Sequence, residues 1–394
     1  ARNTAAGSNV LAANTTGADN TAVGYSALVS NTTGADNTAV GSYALDASTT
    51  SPYNTAVGKS ALTAVTTGDG RNTAIGWNAG AFLTTGAYNT AIGVQALDNT
   101  TTGSQNCAFG AYSLDTNTTA NYNCAFGYYS LQLNTTGASN VAIGYYALQS
   151  NTTASYNIAI GDQALEKNTT GASNTGVGYK ALEANTTANN NTALGYQTLL
   201  LNTTGTENTA VGKGALDANT TGSENTAIGS NSLTANTTGI NNTGLGYGAL
   251  SANTTANYNT SVGSHSLQDN TTGANNTALG YKALADNTTA SNNVAVGYNA
   301  LLVNTTGTNN TAVGKECLKS ITTNSYCTAV GDFALATNTA QYMTAFGAQA
   351  LGDNTSGTEN VALGFRSLRL NTTGSKNTAV GYDALYTPTT ADNN

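Results

Sequence analysis

The sequence predicts an all-β protein, a parallel β-solenoid (β-roll) of about 23 coils with a 17-residue repeat. Three observations lead there. The eleven residues "NTTGADNTAVG" at 14–24 return at 31–41, and the Gly of "NTAVG" recurs from Gly7 to Gly381 in 23 units, with 20 of the 22 spacings equal to 17. Within each unit the apolar positions alternate with period two and favour β-branched residues, which is a strand signature. A Gly with several Asn and Thr in every unit excludes helix, and one Val with one Leu per unit encloses a core only when identical units stack above and below.

With 20–36 as the type unit, Asn20 stands just before the strand. Asn holds this place in 21 of 23 units, among them Asn37, Asn54 and Asn140. Asn tolerates left-handed corners, and its amide can bond to the Asn one coil away, so the column reads as an Asn ladder. A second column stands at Asn14, Asn31, Asn134 and Asn151. Position 23 is apolar in every copy (Val23, Val40, Ile75, Phe109, Ile143) and is expected to face the core, together with the Thr, Val, Ile or Cys at position 21. Position 22 would then face outward, yet it is Ala in 20 units, Gly in two and Ser in one. Smallness on an outer face implies another surface packed closely against it, so Ala22, Ala39, Ala142, Ala159 and Ala193 are the expected inter-chain packing face.

After Gly24 come two variable positions, a small residue and then Leu, present in 22 of 23 units and including Leu28, Leu45 and Leu148. This column completes the expected core. Gly80 is its exception, beside the longer unit, and marks the expected weak point of the array. "NTTG" closes the unit as a second extended segment. Coils about 4.8 Å apart would make a rod about 110 Å long.

No linker or shift of composition divides 1–394, so it reads as one uninterrupted array, irregular only near 68–72, where "GDGRN" adds a residue, and 338–343, where "NTAQYM" lacks one. Charged residues make up 8% and the net charge is −8, with 12 Lys and Arg and no basic cluster. That argues against nucleic acid as a partner, since phosphate neutralisation needs concentrated cations. No apolar run approaches the roughly 20 residues of a membrane span. The chain opens on Ala rather than Met and carries no signal peptide, so it reads as processed or as a window of something longer.

"NTAVGYSAL..NTTG" resembles the "NSVAIG"-type repeats in the heads of YadA-like trimeric autotransporter adhesins. It is still more similar to the "NTAVGYQAL..NTTG" arrays of bacterial surface proteins and phage tail-fibre-like proteins. The resemblance covers the whole chain, although the YadA-like repeat is shorter. It implies an extracellular fibre on a cell surface or virion that associates with itself as a homotrimer or through end-to-end or lateral filament contacts, with a host-surface protein or glycan as a further partner.

The remaining candidates give little chemistry. Of the 21 tyrosines, nine follow the repeat Gly directly, among them Tyr25, Tyr128, Tyr145 and Tyr179, at positions that also accept Lys, Asp and Ser. They read as exposed contact residues or as stacks between coils. The Thr columns of "NTT" raise ice binding, and the triplets also match the N-glycosylation pattern. The sole His265 cannot build a triad or a multi-His metal site within one chain, and the pairs Asp19 with Asp36 and Glu207 with Glu224 read as solvated columns. Neither a catalytic residue, a metal site nor a cofactor is expected. Cys107 and Cys124 share position 21 and read as buried small hydrophobes, while Cys317 and Cys327 lie outside that column. The leading expectation is a structural and adhesive fibre shaft. An ice-binding solenoid and a glycosylated surface filament are the alternatives.

Overall fold

Strands form wherever the repeat sets Thr-Ala-Val, or its equivalent, before a Gly, with an Asn in front of all but two of them (Cys327 and Met343). In a computed structural model describing residues 2–387 and 390–394, there are 23 such strands among the described residues, each three residues long. Contacts group the chain into two compact units, 1–197 and 198–394. The first holds β1 (Thr4–Ala6) to β12 (Thr192–Leu194), and the second holds β13 (Thr209–Val211) to β23 (Thr378–Val380). Within each unit every strand pairs in parallel and in register with the next, as in Ala22↔Ala39 and Ala227↔Gly244. Both units are parallel β-solenoids, and no helix occurs among the described residues.

The core is not the one the alternation suggests. Ala22, Ala39, Ala142, Ala159 and Ala193 are fully buried, whereas Val23, Val40, Ile75 and Ile143 are 37–40% exposed and Phe109 is half-exposed. The reason is the thinness of the coil. The buried Leu column reaches across to the strand, and only a β-carbon fits between. At Gly176, which replaces Ala in this column, an added β-carbon would lie 3.4 Å from Leu165 Cδ1 and 3.1 Å from the Ala181 carbonyl oxygen. The restriction to Ala, Gly and Ser therefore reflects an interior, not an inter-chain contact.

Leu28, Leu45 and Leu148 are buried as expected, but their backbone is not ordinary. The Leu column lies in the left-handed region, with φ of 51° at Leu28, 50° at Leu45 and 53° at Leu148. That conformation costs about 1 kcal/mol per residue, against about 2 kcal/mol from burying the side chain. It also explains why no Val or Ile occurs in the column, since a β-branched residue at positive φ is a severe outlier. Gly80 adopts φ 60° without that cost, and the missing leucine reappears three residues later as Leu83, fully buried in the second Asn column.

The Gly after each strand turns the chain at φ near 133° in Gly24, and a β-carbon there would sit 2.6 Å from the Gly41 carbonyl oxygen in the next coil. "NTTG" is a bend rather than a second strand. Its Thr15 N–H and hydroxyl both donate to the Thr32 carbonyl, at 3.0 and 2.9 Å.

Both Asn ladders are present and internal. Asn20, Asn37, Asn54 and Asn140 are buried. Asn20 Nδ2 donates to the Gly34 carbonyl (2.9 Å), closing its own coil, and its Oδ1 accepts from the Asn37 backbone N–H (3.0 Å), joining the next. In the second ladder amide meets amide directly, as Asn151 Nδ2 to Asn134 Oδ1 at 2.8 Å. Buried polar groups stay in the core because each has partners. Where the second column changes to Ser48 or Ile321, partners are lost: Asn31 Oδ1, Ser48 Oγ and Asn304 Oδ1 are buried without a hydrogen bond.

Candidate functional site: an apolar strand face

With Ala turned inward, positions 21, 23 and 25 turn outward, and each unit carries an unbroken apolar rank on one flat strand face. Exposure along position 23 runs from half-buried at Val57 to 48% at Leu194 in the first unit, and in the second it is 42% at Leu245 and reaches 66% at Val380 in the last strand. Thr fills most of position 21 beside it. In four successive coils of the first unit the Thr is replaced, and the face becomes wholly apolar at these positions: Cys107 with Phe109, Cys124 with Phe126, Val141 with Ile143, and Ile158 with Ile160. Phe109 and Phe126 stack with ring centroids 4.8 Å apart.

Tyrosines border this strip. Tyr25, Tyr128, Tyr145 and Tyr179 are all exposed. Tyr128 stacks on Tyr145 (5.9 Å), Tyr179 on Tyr196 (5.3 Å), and Tyr112, Tyr129 and Tyr146 form a three-coil stack at 5.0 and 5.4 Å. Exposure and stacking coexist, so the ring faces are largely covered by the neighbouring coil. Hydrogen bonding to Tyr128 and to Tyr146 pushes the phenols of Tyr129 and Tyr145 up to about 12.

Cys107 and Cys124 are on the outward face and half-exposed, not in the core, because position 21 shares the face of position 23. Cys317 and Cys327 are buried and unbridged. Cys317 Sγ meets the Ala329 carbonyl at 3.2 Å and Cys327 Sγ the Ala340 carbonyl at 3.3 Å, while burial raises the two thiols to about 12 and about 11. Cys327 takes an Asn-ladder place, and its N–H still donates to Asn310 Oδ1.

His265 lies edge-on to Tyr247 (5.1 Å) in a shallow notch of about 360 Å³ left by Gly248, lined also by Asn231, Thr234 and Gln268. Asp19 pairs with Arg2 at 2.9 Å. No group of three or more His, Cys, Asp or Glu among the described residues is placed to share a metal ion.

Sequence reasoning missed the outward rank. The signal was there, in size rather than polarity. Position 23 varies from Ala6 through Val to Phe109, which a surface tolerates and a thin interior does not, whereas position 22 never exceeds Ser. No protein-family model matches the chain, and no curated protein matches it.

Proposed function

We propose that the chain is the structural shaft of an extracellular or virion fibre, and that it associates with copies of itself through the strand face carrying positions 21, 23 and 25. The observation that supports this is the exposed apolar rank, maintained in coil after coil on an otherwise Asn- and Thr-rich surface. Contiguous exposed apolar surface of this extent marks an interaction site. Twelve strands about 4.8 Å apart, and a face about 14 Å wide, give roughly 700 Å² per copy from the first unit, near the roughly 800 Å² per partner of a stable interface. A homotrimer suits the proposal, as do lateral filament contacts. The tyrosine borders are the surface such a shaft would offer to a host protein or glycan.

The test is the mass in solution of the native chain and of an Ile143→Lys, Leu245→Lys variant. A native multimer that becomes monomeric in the variant, with unchanged circular dichroism, supports the proposal. A native monomer at high concentration refutes it.

A second reading rests on the same face. In most coils Thr at 21 stands beside an apolar residue at 23, giving ranks of hydroxyl and methyl groups at about 4.8 Å spacing, an arrangement suited to ice. The ranks first expected to do this are occupied: Thr32 donates its hydroxyl to the Thr49 carbonyl, and Asn31 is buried. Thermal hysteresis from a monomeric chain would select this reading. Glycosylation of the second Asn column is not retained, because Asn134 and Asn151 are fully buried with their amide nitrogens donated to neighbours.

A further inference from the structure

Cys107 and Cys124 stand side by side on the outward face of β7 (Cys107–Phe109) and β8 (Cys124–Phe126), directly opposite in the parallel register. Both are unbridged and half-exposed. The coil spacing on this face is visible two residues on, where the Phe109 and Phe126 rings stack 4.8 Å apart and within 8° of parallel. We propose that Cys107 and Cys124 form a two-coordinate site for a soft divalent d10 cation of the mercuric type, held in line between the two sulfurs.

Span and charge both favour a bridging metal over a disulfide. In-register neighbours on parallel strands are about 4.8 Å apart, whereas a disulfide needs its β-carbons about 3.5–4.5 Å apart and an S–S bond of about 2 Å. Drawing the coils together is resisted on both sides. Cys124 N–H donates to the Asn140 carbonyl at 2.9 Å, and Asn123 N–H to Asn106 Oδ1 at 3.0 Å. One metal atom with two thiolate bonds of about 2.3 Å spans about 4.6 Å and leaves the coils where they are. Soft thiolates select soft metals. The described residues add no third His, Cys, Asp or Glu to complete a tetrahedral zinc set.

Binding replaces two S–H bonds by two S–M bonds. Two thiols and one divalent cation give a neutral bis-thiolate and release two protons. Neutrality matters on this face, because burial already raises both thiols and so disfavours a retained negative charge. Val141 and Ile158 continue the column above and offer no side-chain hydrogen bond to a charge.

The test is titration of the full chain with mercuric chloride against excess glutathione, read by native mass spectrometry and by thiolate-to-metal absorbance. One ion per chain is expected. Cys107→Thr and Cys124→Thr, which restore the commonest residue of that column, should each weaken retention by about 100-fold or more, the loss of bivalency. Cys317→Ala with Cys327→Asn, again the residues of their own columns, should leave it unchanged. Stoichiometry is read per chain, so the result does not depend on self-association. Two ions per chain, retention in Cys107→Thr, or a mild oxidant joining Cys107 to Cys124 with loss of two hydrogens would each overturn the proposal.

Discussion

Replacing Ala142 by Gln tests the placement of the core directly, with Ile143→Gln as its counterpart. Ala142 is fully buried, and the equivalent site at Gly176 has only enough room for a β-carbon, 3.4 Å from a Leu side chain. Gln adds four heavy atoms where there is no space, a strain of about 1–3 kcal/mol, and its amide enters without a partner at about 1–3 kcal/mol more. The sum is about 2–6 kcal/mol. Ile143 is 39% exposed, and a Gln there keeps part of its stem packed, so about 1 kcal/mol is expected for an isolated chain. A solenoid responds mainly through neighbouring coils, so hydrogen exchange at Val141, Ile158 and Cys124 is the appropriate measurement, with thermal melting as a global check. Fast exchange in the Ala142 variant and near-native exchange in the Ile143 variant is the expected result. The reverse order would return the core to position 23 and refute the packing described here. A large, concentration-dependent loss at Ile143 would instead report an interface.

Leu148→Ile conserves volume but places a β-branched residue at φ 53°, so it should cost about 2 kcal/mol, and Leu148→Asp several, in chemical denaturation. Asp98 is buried with Oδ1 unpartnered, and its carboxyl is raised above 3.8 by burial, only partly offset by Gln95; Asp115 is raised by burial and by the charge of Asp98. A raised folded value means that the fold holds protons the unfolded chain has released, so these groups destabilise above their folded values and cease to do so below about 3.8. Asp98→Asn is therefore expected to raise the melting temperature at pH 7 and leave it unchanged at pH 3. An increase of equal size at both values would contradict the assignment. Ile321→Asn should give the Asn304 Oδ1 its missing donor, so that lost burial of about 2–3 kcal/mol is nearly offset by restored hydrogen bonds. A loss above about 3 kcal/mol by denaturation would show that the ladder break is not a defect.

The repeat announced the coil, the parallel register and both Asn columns, because each is a property of spacing and of residue type at a fixed place. Leu28 was legible as core for the same reason. What spacing could not decide was which side of a three-residue strand faces in. Thr21 and Val23 alternate with Ala22, and hydrophobicity alone favours the larger residue inside. The thickness of the coil overrides that preference, and thickness is set by a contact across the coil, from Leu165 to Gly176, that no local pattern contains. The left-handed Leu was hidden too, since Leu is rare at positive φ and nothing but the absence of Val and Ile from its column pointed to it.

The same inversion changes what the departures from the repeat mean. If position 21 were internal, Cys107, Cys124, Val141 and Ile158 would be exchanges among core residues of similar size. On the outer face they are four successive losses of a hydroxyl, and they leave a patch that water solvates poorly, beside Phe109 and Phe126. Gly80 changes in the opposite direction. Read as a gap in the core, it predicted weakness. With Leu83 fully buried three residues on, it is a relocation that removes a strained Leu, in a stretch where the second Asn column has already given way to Ser48 and Val65. Weakness near this coil would then come from the ladder, through the unpartnered Asn31 Oδ1 and Ser48 Oγ, and not from an empty core.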